Sequence, residues 1–145
     1  MRKLVISSLI VISFLLTSSA QAKTPEELTS DFFKILPENP KNAVDSIITS
    51  NLFIKQEVSQ VNSLKTLISN YPNLKGDYKF NEKICRYKIG ENLESITYLV
   101  GYEQSPMLFD FFFYRVNGNW KIINMNTDNV DQKSILNKKE WCEIK

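Results

Sequence analysis

Hydrophobic residues crowd the stretch Pro106–Asp128, PMLFDFFFYRVNGNWKIINMNTD, in two alternating runs either side of Asn117-Gly118. Asn-Gly is a strong hairpin signal, because a two-residue turn needs positive φ at both central positions. The turn predicts the pairing: Val116 opposite Asn119, Arg115 opposite Trp120, Phe113 opposite Ile122, Phe111 opposite Asn124. Alternation then sorts the side chains. One face carries Phe109, Phe111, Phe113, Trp120 and Ile122, and its row runs on to Asn124 and Asn126. The other carries Leu108, Phe112, Tyr114, Val116, Ile123 and Met125, with Lys121 among them. Both faces are apolar, so both need cover.

Further strands are expected upstream, a short one at Gly76–Phe80 and longer ones at Lys83–Ile89 and Leu93–Glu103. Gly90-Glu91-Asn92 and Gln104-Ser105-Pro106 are the turns between them and the hairpin. If Tyr102 faces Met107, then Val100, Tyr98 and Ile96 lie beside Phe109, Phe111 and Phe113. The aromatic face then spans three strands, and Leu99 joins the opposite face.

Before residue 74 the period is helical. Thr24-Pro25-Glu26-Glu27 opens a helix with a capping hydroxyl, a proline at the first position and acids in the first turn. Leu28, Phe32 and Ile35 follow, and Pro37 and Pro40 end it. A second helix starts near Pro40 with Ala43, Val44, Ile47 and Ile48 as its stripe. Asn51-Leu52-Phe53 reads as a break. A third helix is expected over Ile54–Tyr71, with Val58, Val61, Leu64, Leu67 and Ile68 on one face and a stop at Pro72. After Asp128 a polar tail runs to Lys145, with one helical turn expected at Gln132–Asn137. Trp141 and Cys142 are costly residues for a free tail and are expected to dock. Helices followed by a meander of strands make an α+β pattern.

Composition changes the picture at the N-terminus. Arg2-Lys3, the apolar run Leu4–Leu16 and Ala20-Gln21-Ala22 have the n-region, h-region and A-x-A site of a secretory signal peptide. Residues 1–22 are therefore expected to be removed, leaving residues 23–145 as a single domain with a C-terminal tail, periplasmic or secreted. Loss of Arg2 and Lys3 takes Lys+Arg from 18 to 16, against 16 Asp+Glu. A mature chain near zero net charge argues against a nucleic-acid partner. No later stretch is apolar enough for a membrane span. In an oxidising compartment Cys85 and Cys142 are expected to pair, the alternative being two unrelated buried thiols. With no histidine and two cysteines, neither a metal site nor any other cofactor is expected.

The helices, the long strands and the ending Phe113-Tyr114-Arg115-x-Asn117-Gly118-x-Trp120-Lys121-Ile122 resemble the nuclear transport factor 2-like (cystatin-like) superfamily. The likeness is greatest to its small exported bacterial members of unassigned function. The resemblance covers about Thr24 to Asp128. It implies a cone-shaped half-barrel, in which a strongly curved antiparallel sheet wraps the N-terminal helices. It also implies a pocket between sheet and helices and, in many members, a dimer through the outer sheet face. It implies no activity, because this fold hosts enzymes, binding modules and assembly domains alike.

Candidate chemistry is sparse. Triads that need histidine are excluded, and no phosphate-cradling glycine motif occurs. Enzymes of the resembled superfamily use a tyrosine and an acid inside the cone. Tyr98 and Tyr102 could point inward here, but alternation sends Asp110 to the other face, and Asn124 and Asn126 cannot act as bases. No catalytic residue is assigned. Tyr98, Tyr102, Phe109, Phe111, Trp120 and Asn124 could line a pocket for a small apolar ligand, or simply form a core. The outer row of Leu99, Phe112, Tyr114, Ile123 and Met125 needs a partner, either a second copy or another envelope protein, unless the tail covers it. The expected function is an exported, non-catalytic interaction or small-ligand-binding module. The alternative is a small acid/base enzyme, isomerase- or dehydratase-like, using the inward tyrosines.

Overall fold

The computed structural model describes residues 22–131 and Cys142. Four helices precede four strands: α1 (Pro25–Ile35), α2 (Pro40–Ile48), α3 (Leu52–Lys55), α4 (Val58–Lys75), β1 (Tyr78–Ile89), β2 (Leu93–Tyr102), β3 (Met107–Val116) and β4 (Asn119–Asn129). The strands form one unclosed antiparallel meander in the order β1-β2-β3-β4, curved around the helices, as the α+β pattern predicts.

The capping box at Thr24 is complete. The Glu27 amide donates to Thr24 Oγ1 at 3.2 Å, and the Thr24 amide donates to Glu27 Oε2 at 2.7 Å. Asn39 caps α2 in the same way, accepting from the Asn42 amide. The expected break at Asn51-Leu52-Phe53 is a one-turn helix, α3, because Asn51 caps it through the Phe53 amide. The next helix begins at Val58 and passes through Pro72 to Lys75 instead of stopping. A proline in the last turn forfeits only its own amide bond. The turn is worth keeping because it buries Tyr71, whose hydroxyl meets Thr127 Oγ1. Val61, Ile68 and Tyr71 form the buried stripe of α4, while Val58 and Leu67 stay exposed.

The short strand expected at Gly76–Phe80 and its neighbour are one strand, β1, interrupted by register shifts between Tyr78 and Phe80 and between Lys83 and Cys85. In the hairpin, Asn117 and Gly118 have φ of 50° and 77°, as the two-residue turn requires. Pairing follows expectation as far as Phe113–Ile122. There β4 carries one extra residue, Ile123, so Phe112 faces Asn124 and Phe111 faces Met125. Parity flips beyond the bulge: Met125 and Thr127 join the inner row, and Asn124 and Asn126 join the outer one. The bulge exchanges two asparagines for a methionine and a threonine under the helices, which apolar burial favours. Across β2 and β3 the register is two residues from expectation, with Val100 opposite Met107 and Tyr98 opposite Phe109. A shift of two keeps every side chain on its face.

The core lies between the concave face and α1, α2 and α4. Phe32 packs edge-on against Phe111 at 5.3 Å, and Phe33 lies 4.6 Å from the Tyr98 ring. The free edge of β4 is partly closed by the turn after α2: the Ile122 amide donates to Ser50 Oγ, and Asn51 Nδ2 donates to the Ile122 carbonyl.

Candidate functional site

Inside the cone, alternation brings Tyr98 and Tyr102 of β2 beside Phe109 and Phe111 of β3, all buried. They form one buried cluster with Phe32, Phe33, Ile68 and Tyr71 between sheet and helices. The Tyr98 hydroxyl lies 2.9 Å from Thr29 Oγ1, and Thr29 Oγ1 lies 3.0 Å from the Pro25 carbonyl. Thr29 Oγ1 also lies 3.1 Å from the Glu26 carbonyl, and either hydroxyl can be the donor between Thr29 and Tyr98. Burial pushes the Tyr102 phenol well above its ordinary value, with the Tyr71 and Tyr78 phenols adding to the effect. Burial also raises Tyr71, against the opposing Thr127 hydrogen bond. Neutral, buried phenols of this kind are poor bases.

One acid does sit on the inner face. Glu94 lies two residues before Ile96, opposite Phe113, and is 1% exposed. Extending the alternation Tyr98, Ile96 one step back along β2 finds it. Arg86 Nε donates to Glu94 Oε1 at 2.7 Å, and Arg86 Nη1 donates to Glu26 Oε1 at 2.7 Å. Lys83 also reaches Glu26, at 3.0 Å, and Lys88 Nζ stands 3.8 Å from Glu94 Oε2, which accepts no hydrogen bond. The chain Lys83–Glu26–Arg86–Glu94–Lys88 thus ties α1 to β1 and β2. Its hydrogen bond to Glu94 raises the Arg86 pKa further, which holds the guanidinium charged. A carboxylate engaged by a fixed cation is a structural anchor before it is a general base. Asp110 lies on the outer face, as expected, and accepts from Thr97 Oγ1 at 2.5 Å.

Of the remaining two residues of the expected pocket, Trp120 keeps the inner row and packs against the edge of the core, while Asn124 is turned away by the bulge. Trp120 is partly buried, carries the Arg115 guanidinium 6.0 Å from its ring, and borders a surface cleft of about 580 Å³ with Lys23, Leu28, Ser50, Leu52 and Phe53. Asn124, expected inside, is exposed on the rim of a groove of about 270 Å³ between α4 and β4. A third depression, of about 280 Å³, touches Tyr98 from outside with Ser30, Phe33, Lys34 and Asn81. Neither Glu94 nor Arg86 lines any of the three. None of these three depressions is lined by all six residues. Among the described residues no cluster of three or more histidine, cysteine, aspartate or glutamate side chains could hold a metal ion.

On the outer face Leu99 and Phe112 are half-buried, while Tyr114 and Ile123 are 43% and 41% exposed. Met125, expected beside them, is in the core because of the bulge. Cys85 and Cys142 form a disulfide with Cα atoms 5.4 Å apart. Cys85 pairs with Thr97, and the outer-face residues Thr97 and Leu108 are buried. Apolar residues stay open at both ends of this face: Phe80 beside Gly101 at one end, and Ile89, Leu93 and Tyr114 in one cross-strand row at the hairpin end. The expected docking of Trp141 and the turn at Gln132–Asn137 lie outside the described residues, as does the leader up to Gln21.

No protein-family model matches this chain, and no curated protein does. Among solved structures it is similar to a Campylobacter jejuni protein, provisionally described as an NTF2-like transpeptidase, at 17% identity and a TM-score of 0.54. The likeness covers 69% of this chain and 97% of the other. At that identity it establishes the fold, which is nuclear transport factor 2-like, as the strand and turn residues led one to expect. Among the described residues no helix is long and apolar enough to cross a membrane.

Proposed function

We propose that this chain is an exported, non-catalytic interaction module of the bacterial envelope, and that its partner is a second copy held through the hairpin end of the outer sheet face. The observation that carries the reading is the filled cone. In this fold an active site or ligand pocket needs room between sheet and helices. Here Phe32, Phe33, Tyr71, Tyr98, Phe109 and Phe111 occupy that room, and the Tyr98 hydroxyl is engaged by Thr29. What remains for recognition is the outside. Ile89, Leu93, Phe112 and Tyr114 make an apolar patch on two neighbouring rows, and a two-fold interface would set that patch against its copy. Export is supported by the leader pattern and by the disulfide, which suits an oxidising compartment.

The alternative of a small acid/base enzyme needs a carboxylate with access to substrate. Glu94 is on the correct face but is closed over and paired with Arg86. Co-purification from its own envelope, followed by mass spectrometry, tests the module. Recovery with a second copy or a protein partner in equal amount supports it, and recovery alone as a monomer sinks it. N-terminal sequencing of the same material should begin at Lys23; an intact Met1 would overturn export.

A further inference from the structure

We infer that the middle of the outer sheet face is the docking surface for this chain's own residues 132–141, which cross it from the end of β4 to β1. α1, α2 and α4 all pack on the inner face. The outer face is convex, so its side chains splay apart and do not close over one another. Yet Leu108 and Thr97, on the central strands of that face, are 1% and 2% exposed, and Cys85 in the Thr97 row is also buried. Among the described residues, what joins these rows from outside the sheet is Cys142, bonded to Cys85. Burial this deep on a face that none of these helices covers calls for a second layer, and Cys142 is where that layer is fastened.

The two ends of the segment fix its course. β4 ends at Asn129, which pairs with Met107, one row beyond the pair Leu108–Asp128. Cys142 is held at Cys85 on β1, at the opposite edge of the four-stranded sheet. Three strand spacings, about 14 Å, separate the two edges. Residues 132–141 can span about 33 Å when extended, so they reach across with length to spare. The helices close the inner side to them, and Cys85 shares the outward row of Thr97.

The chemistry of the two surfaces matches. Glu82 and Asp128 flank Leu99 and Leu108 in one row, Asp110 lies beside Thr97 in the next, and neither row holds a cation. Residues 132–141 carry Lys133, Lys138 and Lys139 against the single acid Glu140. Ile135, Leu136 and Trp141 supply apolar groups to set against Leu99 and Leu108. With both ends tethered to the sheet, docking is intramolecular, at an effective concentration on the order of millimolar. A second copy at micromolar concentration competes poorly for the same rows. The rows of Phe112 and Tyr114 lie beyond Cys85, toward the hairpin, so the inference does not rest on the partner proposed there.

The test uses the whole chain from Lys23 to Lys145, its disulfide formed, with Leu136 replaced by photoreactive benzoylphenylalanine. Ordinary and isotope-labelled chains are mixed in equal amounts, irradiated, digested and read by mass spectrometry. Residue 136 should be joined to Thr97, Leu99, Leu108 or Asp110, in peptides wholly of one label. Mixed-label peptides would make the face a contact between copies and overturn the inference. Cross-links elsewhere, or none, overturn it too. Trp120→Phe leaves Trp141 as the one tryptophan of the two in the sequence, and gives a second readout without the cross-linker. Acrylamide should quench its fluorescence several-fold less in the folded chain than in the denatured one; equal quenching contradicts the docking. Circular dichroism should find both variants folded. Sedimentation reads the outer-face partner separately: a monomer with single-label cross-links keeps this inference and removes that partner.

Discussion

The Tyr98 hydroxyl and Thr29 Oγ1 share a hydrogen bond of 2.9 Å, linking the middle of β2 to the first turns of α1 inside the sheet. In a catalytic cone a tyrosine at such a place would offer its proton to a substrate. Here its hydroxyl is engaged by Thr29, whose Oγ1 also reaches the carbonyls of its own helix. Tyr98→Phe should therefore cost about 1 kcal/mol, the net worth of one buried hydrogen bond. Chemical denaturation measures it. A loss several times larger would mean that Tyr98 holds more than Thr29.

The bulge at Ile123 makes a sharp distinction between neighbours. Met125 faces Phe111 in the core, and Asn124 faces outward. Met125→Ala should cost about 2–4 kcal/mol through lost burial and the cavity left behind. Asn124→Ala should change stability by no more than about 0.5 kcal/mol. The uninterrupted register would reverse the two results, so thermal melts of both variants decide between them.

Arg86 and Glu94 should respond asymmetrically. Arg86→Met leaves a carboxylate that is 1% exposed with only the more distant Lys88, and should cost about 3 kcal/mol or more. Glu94→Leu leaves a guanidinium that is about a third exposed and still paired with Glu26, so its cost should be smaller, about 1–2 kcal/mol. The double variant should be more stable than Arg86→Met alone. A denaturation cycle with all four proteins checks the order.

Tyr71 and Tyr102 set an alkaline limit. Burial raises both phenols above the ordinary value of 10.0 in the folded chain. The unfolded chain ionises them near that ordinary value. Their contribution to stability is thus complete below about pH 10 and is lost as pH rises through the folded values. Phenolate absorbance followed with circular dichroism should show these two rings ionising with or after unfolding. Their ionisation in a fully folded protein would mean that the cone admits water.

The sequence made the fold legible because its signals were local and agreed with one another. Thr24-Pro25-x-Glu27 capped a helix, Asn117-Gly118 set a hairpin, and Phe109, Phe111 and Phe113 marked a face. A two-residue error in pairing β2 with β3 did no harm, because strand parity survives it. What alternation could not foresee was the single extra residue at Ile123, which moved Asn124 and Met125 to opposite faces. The bulge is decided by what lies under the sheet, which is tertiary information. Pro72 misled for a like reason: the burial of Tyr71 outweighs one lost amide bond. Glu94 was within reach of the pattern, but an acid among apolar positions explains itself only once Arg86 is seen beside it.

The outer face carries the central claim, and oligomeric state tests it most directly. Sedimentation equilibrium of the chain from Lys23 at tens of micromolar should give a dimer, with about 25 cal/mol gained per Å² of apolar surface removed from water. Phe112→Glu, at a half-buried position beside Tyr114, should give a folded monomer. A monomeric parent chain at that concentration would contradict the account.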